Sequence, residues 1–152
     1  MKYCDIERHL KDVELLNDLI HSYQECFDVI DNYSKKLKNN ALATEGDIKE
    51  AISVLTGIYT SLSPVATISQ AAKTNMEAVF FANIKENWEA SIPQKKIVLG
   101  QIEKEVQLKV ASWRKVRAVF EGYLDASDKA ISSCQSTLKT FKKEEHYVRQ
   151  SN

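Results

Sequence analysis

Two short stretches of the chain set cations around an aromatic ring. "WRKVR" at 113–117 holds Arg114, Lys115 and Arg117 with no acid among them, and "LKTFKK" at 138–143 holds Lys139, Lys142 and Lys143 around Phe141. Such cations suit a phosphate backbone, because each neutralised phosphate releases condensed counterions and adds affinity. Rings beside them would stack on unpaired bases. The plainer account is that any soluble amphipathic helix shows a charged outer face. Trp113 and Phe141 fall on the apolar side of the helical pattern, so Tyr123 and Tyr147 are the better candidates for exposed rings.

No other constellation of this kind stands out. His9, His21 and His146 share no close spacing, and no His-x-x-x-His, Gly-rich phosphate loop or nucleophile elbow occurs. Cys4, Cys26 and Cys134 are odd in number and far apart, with no Cys-x-x-Cys, so they read as free thiols in a reducing compartment. Cys134 sits between Ile131 and Leu138 on the apolar side and reads as a small core residue rather than a nucleophile. Pairs such as Glu103 and Glu105 look like helix surface charge. The expectation is a binding protein without catalysis, metal or cofactor.

The elements that must position these residues are helices. Gly (4) and Pro (2) are scarce among 152 residues, so few turns are available and long elements follow. Ile6, Leu10, Val13, Leu16, Ile20, Tyr23, Phe27, Ile30, Tyr33 and Leu37 recur at steps of three and four, which predicts one helix over about 5–38. Lys35, Lys36 and Lys38 suit the negative end of its dipole, and "NN" at 39–40 breaks it. Thr44 is the expected N-cap of a second helix over 45–62. "SP" at 63–64 predicts a stop and a third helix over 64–90, since proline fits a first turn. From Pro93 the pattern runs unbroken to about 148, through Ile102, Val106, Val110, Trp113, Val116, Phe120, Leu124, Ser127, Ile131, Cys134, Leu138, Phe141 and Val148. A helix of that length would extend about 80 Å at 1.5 Å per residue. It would need other long helices alongside it, in this chain or in further copies. The predicted fold is therefore all-α, a single domain over 1–152 packed as a long-helix bundle in the manner of a coiled coil. Trp113, Phe120, Leu124, Ile131, Leu138 and Phe141 would supply its core and oligomer seam.

The formal charge is zero by cancellation. Residues 1–34 hold three basic against eight acidic residues, while 93–152 hold twelve against seven. Either the basic segment faces a polyanion or the two segments pack on each other. The start, "MKYCDIERHL", has no apolar centre and is no signal peptide, and the apolar cluster "AVFFA" at 78–82 is too short to cross a bilayer. A cytoplasmic location without membrane contact is expected.

In layout, residues 71–145 resemble the small all-helical recombination mediators of tailed phages, the UvsY type. An Ala/Lys-rich helix, "QAAKTNMEAVFFANIKE", precedes a short break and a long helix with an early aromatic, Trp113, then "YLDASDKAISSCQSTLK". The resemblance implies a ring-like homo-oligomer that binds single-stranded DNA. Such mediators help to load a RecA-like recombinase onto DNA covered by single-strand-binding protein. It also implies DNA-contacting cations on the Ala/Lys-rich helix, which by position are Lys73 and Lys85. The competing expectation is a structural or adaptor protein whose helices contact other proteins and no nucleic acid.

Overall fold

The computed structural model describes the backbone of residues 2–91 and 99–150, and side chains within those ranges except Tyr3 and 144–150. The fold is all-α, with no strand among the described residues. Six α-helices follow in order: α1 (Tyr3–Lys11), α2 (Leu16–His21), α3 (Gln24–Lys38), α4 (Glu45–Ser91), α5 (Leu99–Lys109) and α6 (Ala111–Gln150). A 3₁₀ turn, Val13–Leu15, joins α1 to α2. The expected start at Pro93, with Lys95 and Lys96, lies outside the described residues, as do the side chains of His146, Tyr147 and Val148.

Local chemistry explains most boundaries. α3 ends in a Schellman arrangement: Asn40 takes a left-handed φ of 51°, Ala41 N–H donates to Lys36 O at 2.8 Å and Asn40 N–H to Leu37 O at 3.1 Å. Asparagine tolerates that conformation better than most residues, which is why "NN" stops the helix. α4 opens with a reciprocal cap, in which Asp47 N–H donates to Thr44 Oγ1 at 3.1 Å and Thr44 N–H to Asp47 Oδ2 at 3.0 Å.

Three expected boundaries differ. Residues 5–38 are not one helix. Asp12 is extended (φ −119°, ψ 120°), and its carboxylate accepts Glu14 N–H at 2.9 Å, capping the 3₁₀ turn. That interruption changes the helical phase, so Val13 faces water while Leu16 and Leu19 are buried. A further break at Ser22 and Tyr23 precedes α3. The expected pair 45–62 and 64–90 is a single helix with Pro64 inside it. The proline withdraws the one backbone bond that Thr60 C=O would have accepted, while Leu62, Val65 and Ala66 beside it are buried. Finally α5 and α6 are separated only at Val110, whose N–H still bonds Val106 O and whose O still accepts Arg114 N–H, each at 3.0 Å.

The chain divides into two compact units. Unit 1 comprises Met1–Ser22 and Val65–Val119. Its core gathers Ile6, Leu10, Leu16, Leu19, Val65, Ile102, Val110, Trp113 and Val116. Ile84, Ile102, Val106 and Val110 form a cluster covered by Met76, Phe80, Phe81 and Trp88. Unit 2 comprises Tyr23–Pro64 and Phe120–Asn152. Phe120 there meets Tyr23 and Phe27 edge-on, at centroid distances of 5.3 and 5.7 Å. Ile30, Tyr33, Ile48, Leu55, Ala130 and Cys134 complete this core, and Ser127 is buried with its hydroxyl donating to Leu55 O at 3.2 Å. Of the expected seam, Trp113 and Phe120 are buried, whereas Leu124, Ile131, Leu138 and Phe141 are half-buried.

α4 also holds a longer apolar run than "AVFFA". One 18-residue window reaches a mean hydropathy of 1.4, enough by length and composition to cross a membrane. Its inner side chains, such as Ala51 and Leu55, are buried in unit 2, whose α3 and α6 carry exposed Asp28, Asp31, Asp125 and Lys129. Those charges fit a bundle in water.

Candidate nucleic-acid interface

The sequence-predicted cations fall into two groups with different surroundings. In unit 1, Lys73 and Arg114 converge on one carboxylate. Lys73 Nζ lies 2.7 Å from Glu77 Oε2, and Arg114 reaches Oε1 with Nη2 at 2.6 Å and Nε at 3.2 Å. Burial by itself would raise the Glu77 carboxyl, but the hydrogen bonds and charges of Lys73 and Arg114 outweigh it and hold the group below its ordinary range. The Lys73 side chain keeps only 16% of its exposure. Most of the charge of this pair is thus already engaged within the unit.

The remaining cations of unit 1 are dispersed. Lys85 is exposed and sits 3.7 Å from Glu89 one turn on. Lys115 is exposed and donates to Asn17 Oδ1 at 3.3 Å. Arg117 is half-buried. "WRKVR" therefore does not present three available cations, because Glu77 engages Arg114 and Arg117 is half-buried.

Unit 2 holds the denser cluster. Lys139, Lys142 and Lys143 are exposed along α6, and Lys35, Lys36 and Lys38 are exposed at the end of α3. The first turn of α4 links the two sets. Glu45 is held low first by its hydrogen bond from Lys49, at 2.6 Å, and the charge of Lys142 adds to this. Asp47 is held low first by hydrogen bonds from Thr44, and the charge of Lys36 adds. Lys49, also exposed, is the ion-pair partner of Glu45. The side chains of Glu144 and Glu145, which follow Lys143, lie outside the described residues.

The α3 lysines were legible in the sequence only as partners for a helix dipole. The run of three beside "NN" was the available signal, but nothing in one dimension brings residue 36 towards residue 142. Tyr123, expected as an exposed ring, is otherwise engaged. It stacks on Phe27 at a centroid distance of 4.1 Å and an angle of 13°, and its hydroxyl points to Asp31 Oδ2 at 3.4 Å. Burial and the Asp31 charge push its phenol up. The Tyr33 ring lies under Lys36 Nζ at 5.0 Å but is buried in the core of unit 2.

Unit 1 offers a different feature, a groove of about 590 Å³ between α1 and α4. Leu10, Ile68, Ala72 and Met76 line it, with Glu7 and Lys11 among its polar residues. Among the described residues no group of three or more His, Cys, Asp or Glu is placed to hold a metal ion. No protein-family profile, no curated protein and no solved structure matches this chain.

Proposed function

We propose that this chain binds single-stranded DNA through its phosphate backbone, on the lysine-bearing end of unit 2. The observation that carries the reading is that Lys36 of α3 and Lys142 of α6 both act on the first turn of α4, each within a run of exposed lysines, Lys35, Lys36 and Lys38 in one and Lys139, Lys142 and Lys143 in the other. Six flexible ammonium groups there face water, and such groups act as point charges on phosphate. They carry no base code, so the binding is largely independent of sequence. The layout shared with recombination mediators extends the reading to a role: handing DNA covered by single-strand-binding protein to a RecA-like recombinase. Lys73 and Lys85, the positions which that layout implies, are secondary in this proposal because Glu77 and Glu89 already partner them.

The test is fluorescence anisotropy with labelled oligonucleotides of mixed sequence across a salt series. Binding should weaken steeply with salt and be reduced by Lys139→Gln, Lys142→Gln and Lys143→Gln together, more than by Lys73→Gln with Lys85→Gln. No binding at about 50 mM salt, where phosphate contacts are strong, removes the DNA reading.

An adaptor role is the second reading, and the unit 1 groove favours it. Concave apolar lining of that size suits side chains from a partner helix. It becomes the leading reading if the salt series shows no DNA binding.

A further inference from the structure

Where α4 ends, unit 1 holds a pocket of about 280 Å³ between α4 and α5. Asn87, Trp88 and Ser91 of α4 line it with Glu105 and Lys109 of α5, and buried Ile84 lies among them. Its volume falls just below the ~300–1,000 Å³ of pockets that enclose drug-sized ligands. It therefore suits one planar ring and not a helix. Trp88 is half-buried and packs against the cluster of Ile84, Ile102, Val106 and Val110. Core packing fixes the indole in advance, so a ring that stacks on it pays little to order it.

The polar groups of the pocket remain open to a ligand. Glu105 and Lys109 stand four residues apart on α5, a spacing at which helical ion pairs form. Among the described residues no ion pair joins them. Lys109 Nζ lies instead over the Phe80 ring, 5.8 Å from its centroid. Asn87, Ser91, Glu105 and Lys109 are all exposed.

We propose that this pocket binds one nucleotide whose base carries an exocyclic amino group, with the base stacked on Trp88. The lining selects this class. An ionised carboxylate only accepts, so Glu105 requires N–H donors on the edge of the ring, while the Asn87 amide offers both a donor and an acceptor. Cytosine, adenine and guanine carry an amino group, and thymine carries none. Lys109 meets the phosphate as a point charge. A ring without a polar edge, such as a phenylalanine side chain, engages none of these groups. A free nucleotide and an unpaired base within a strand share this chemistry. The strand source rests on the DNA reading above, and it adds a base preference that the lysines of unit 2 do not supply.

Nuclear magnetic resonance on the full chain tests it. The isotope-labelled protein gives one indole N–H signal for each of its two tryptophans, and Trp113 is buried with its N–H bonded to Leu10 O. Titration with dCMP should shift the Trp88 signal saturably and leave Trp113 unmoved, with dTMP about ten-fold weaker. Glu105→Gln should abolish the preference for dCMP over dTMP. Lys109→Gln should weaken dCMP and leave uncharged deoxycytidine unchanged. Both positions are exposed, so the circular dichroism spectrum should stay that of the parent. Oligo-dC and oligo-dT separate the two sources: tighter binding of oligo-dC supports a strand base, and equal binding supports a free nucleotide. Replacing Lys35, Lys36, Lys38, Lys139, Lys142 and Lys143 by Gln should leave dCMP binding intact, which keeps a failure of the DNA reading distinct from a failure of this site. The proposal is overturned if dCMP gives no saturable Trp88 shift, if dTMP or inorganic phosphate matches it, or if Glu105→Gln keeps the preference.

Discussion

The indole N–H of Trp113 donates to the carbonyl oxygen of Leu10, 2.8 Å away and 103 residues earlier in the chain. Leu10 lies in the last turn of α1, where carbonyls have no partner within their own helix. The bond therefore satisfies a buried helix end and ties α1 to the start of α6. Trp113→Phe keeps most of the apolar volume and orphans that carbonyl, at a cost of about 1–3 kcal/mol. Trp113→Ala also opens a cavity beside Phe80, for about 3–5 kcal/mol. Urea unfolding of the two variants should separate these values. Equal midpoints for the parent and Trp113→Phe would show that the bond contributes nothing.

Glu77 makes the folded chain sensitive to acid. Its carboxyl titrates lower in the folded state than in the unfolded chain, where it is unpaired. The stability that this provides is complete above the ordinary carboxylate range and is lost as pH falls through the lowered folded value. Glu77→Gln should thus be less stable than the parent at neutral pH, and the gap should close in acid. Thermal melts from about pH 7 down to pH 3 measure it, and a gap that widens in acid contradicts the assignment. The same substitution releases Lys73 and Arg114, so DNA affinity should rise if unit 1 can contribute at all.

The helical class was readable from spacing alone, because burial on one side of a helix repeats every three to four residues whatever the tertiary detail. Trp113, Val116, Phe120 and Cys134 are buried where that repeat puts them. The repeat was blind to Asp12, since one extended residue followed by a 3₁₀ turn leaves the spacing of apolar letters almost unchanged while rotating the face that they occupy. It misjudged Pro64 for the opposite reason: loss of a single backbone bond was outweighed by apolar packing on both sides. The site was less legible still. Whether a lysine is available to a ligand depends on a carboxylate that can lie anywhere in the sequence. Glu77 is 37 residues from Arg114, and no local pattern joins them.

The three thiols should differ in reactivity. Cys4 is exposed, Cys26 half-buried and Cys134 buried. Burial pushes both the Cys26 and Cys134 thiols up, which lowers the reactive thiolate fraction further. A disulfide reagent at about pH 8 should modify Cys4 first, Cys26 more slowly, and Cys134 only on unfolding. Mass spectrometry of digested, partly labelled protein reads the order directly. Early labelling of Cys134 would mean that α6 opens in unit 2 under native conditions.

The lysine cluster leads to the most discriminating measurement. If α3 and α6 hold one phosphate backbone between them, two triple substitutions far apart in sequence should behave alike. Lys35, Lys36 and Lys38 to Gln, and Lys139, Lys142 and Lys143 to Gln, each remove three exposed cations from unit 2. On single strands the log–log salt slope changes by about 0.7 per phosphate neutralised, so each set should flatten it by about 2. Thermal stability should change little, because exposed charges contribute little to folding. The combined sextuple variant should lose nearly all salt-dependent binding. Arg114→Gln, whose guanidinium is occupied by Glu77, should leave the slope almost unchanged. If only the α6 set matters, the strand runs along one helix and the α3 lysines serve their own helix end. If neither set matters and binding persists, the phosphate-binding surface lies outside unit 2's lysine cluster.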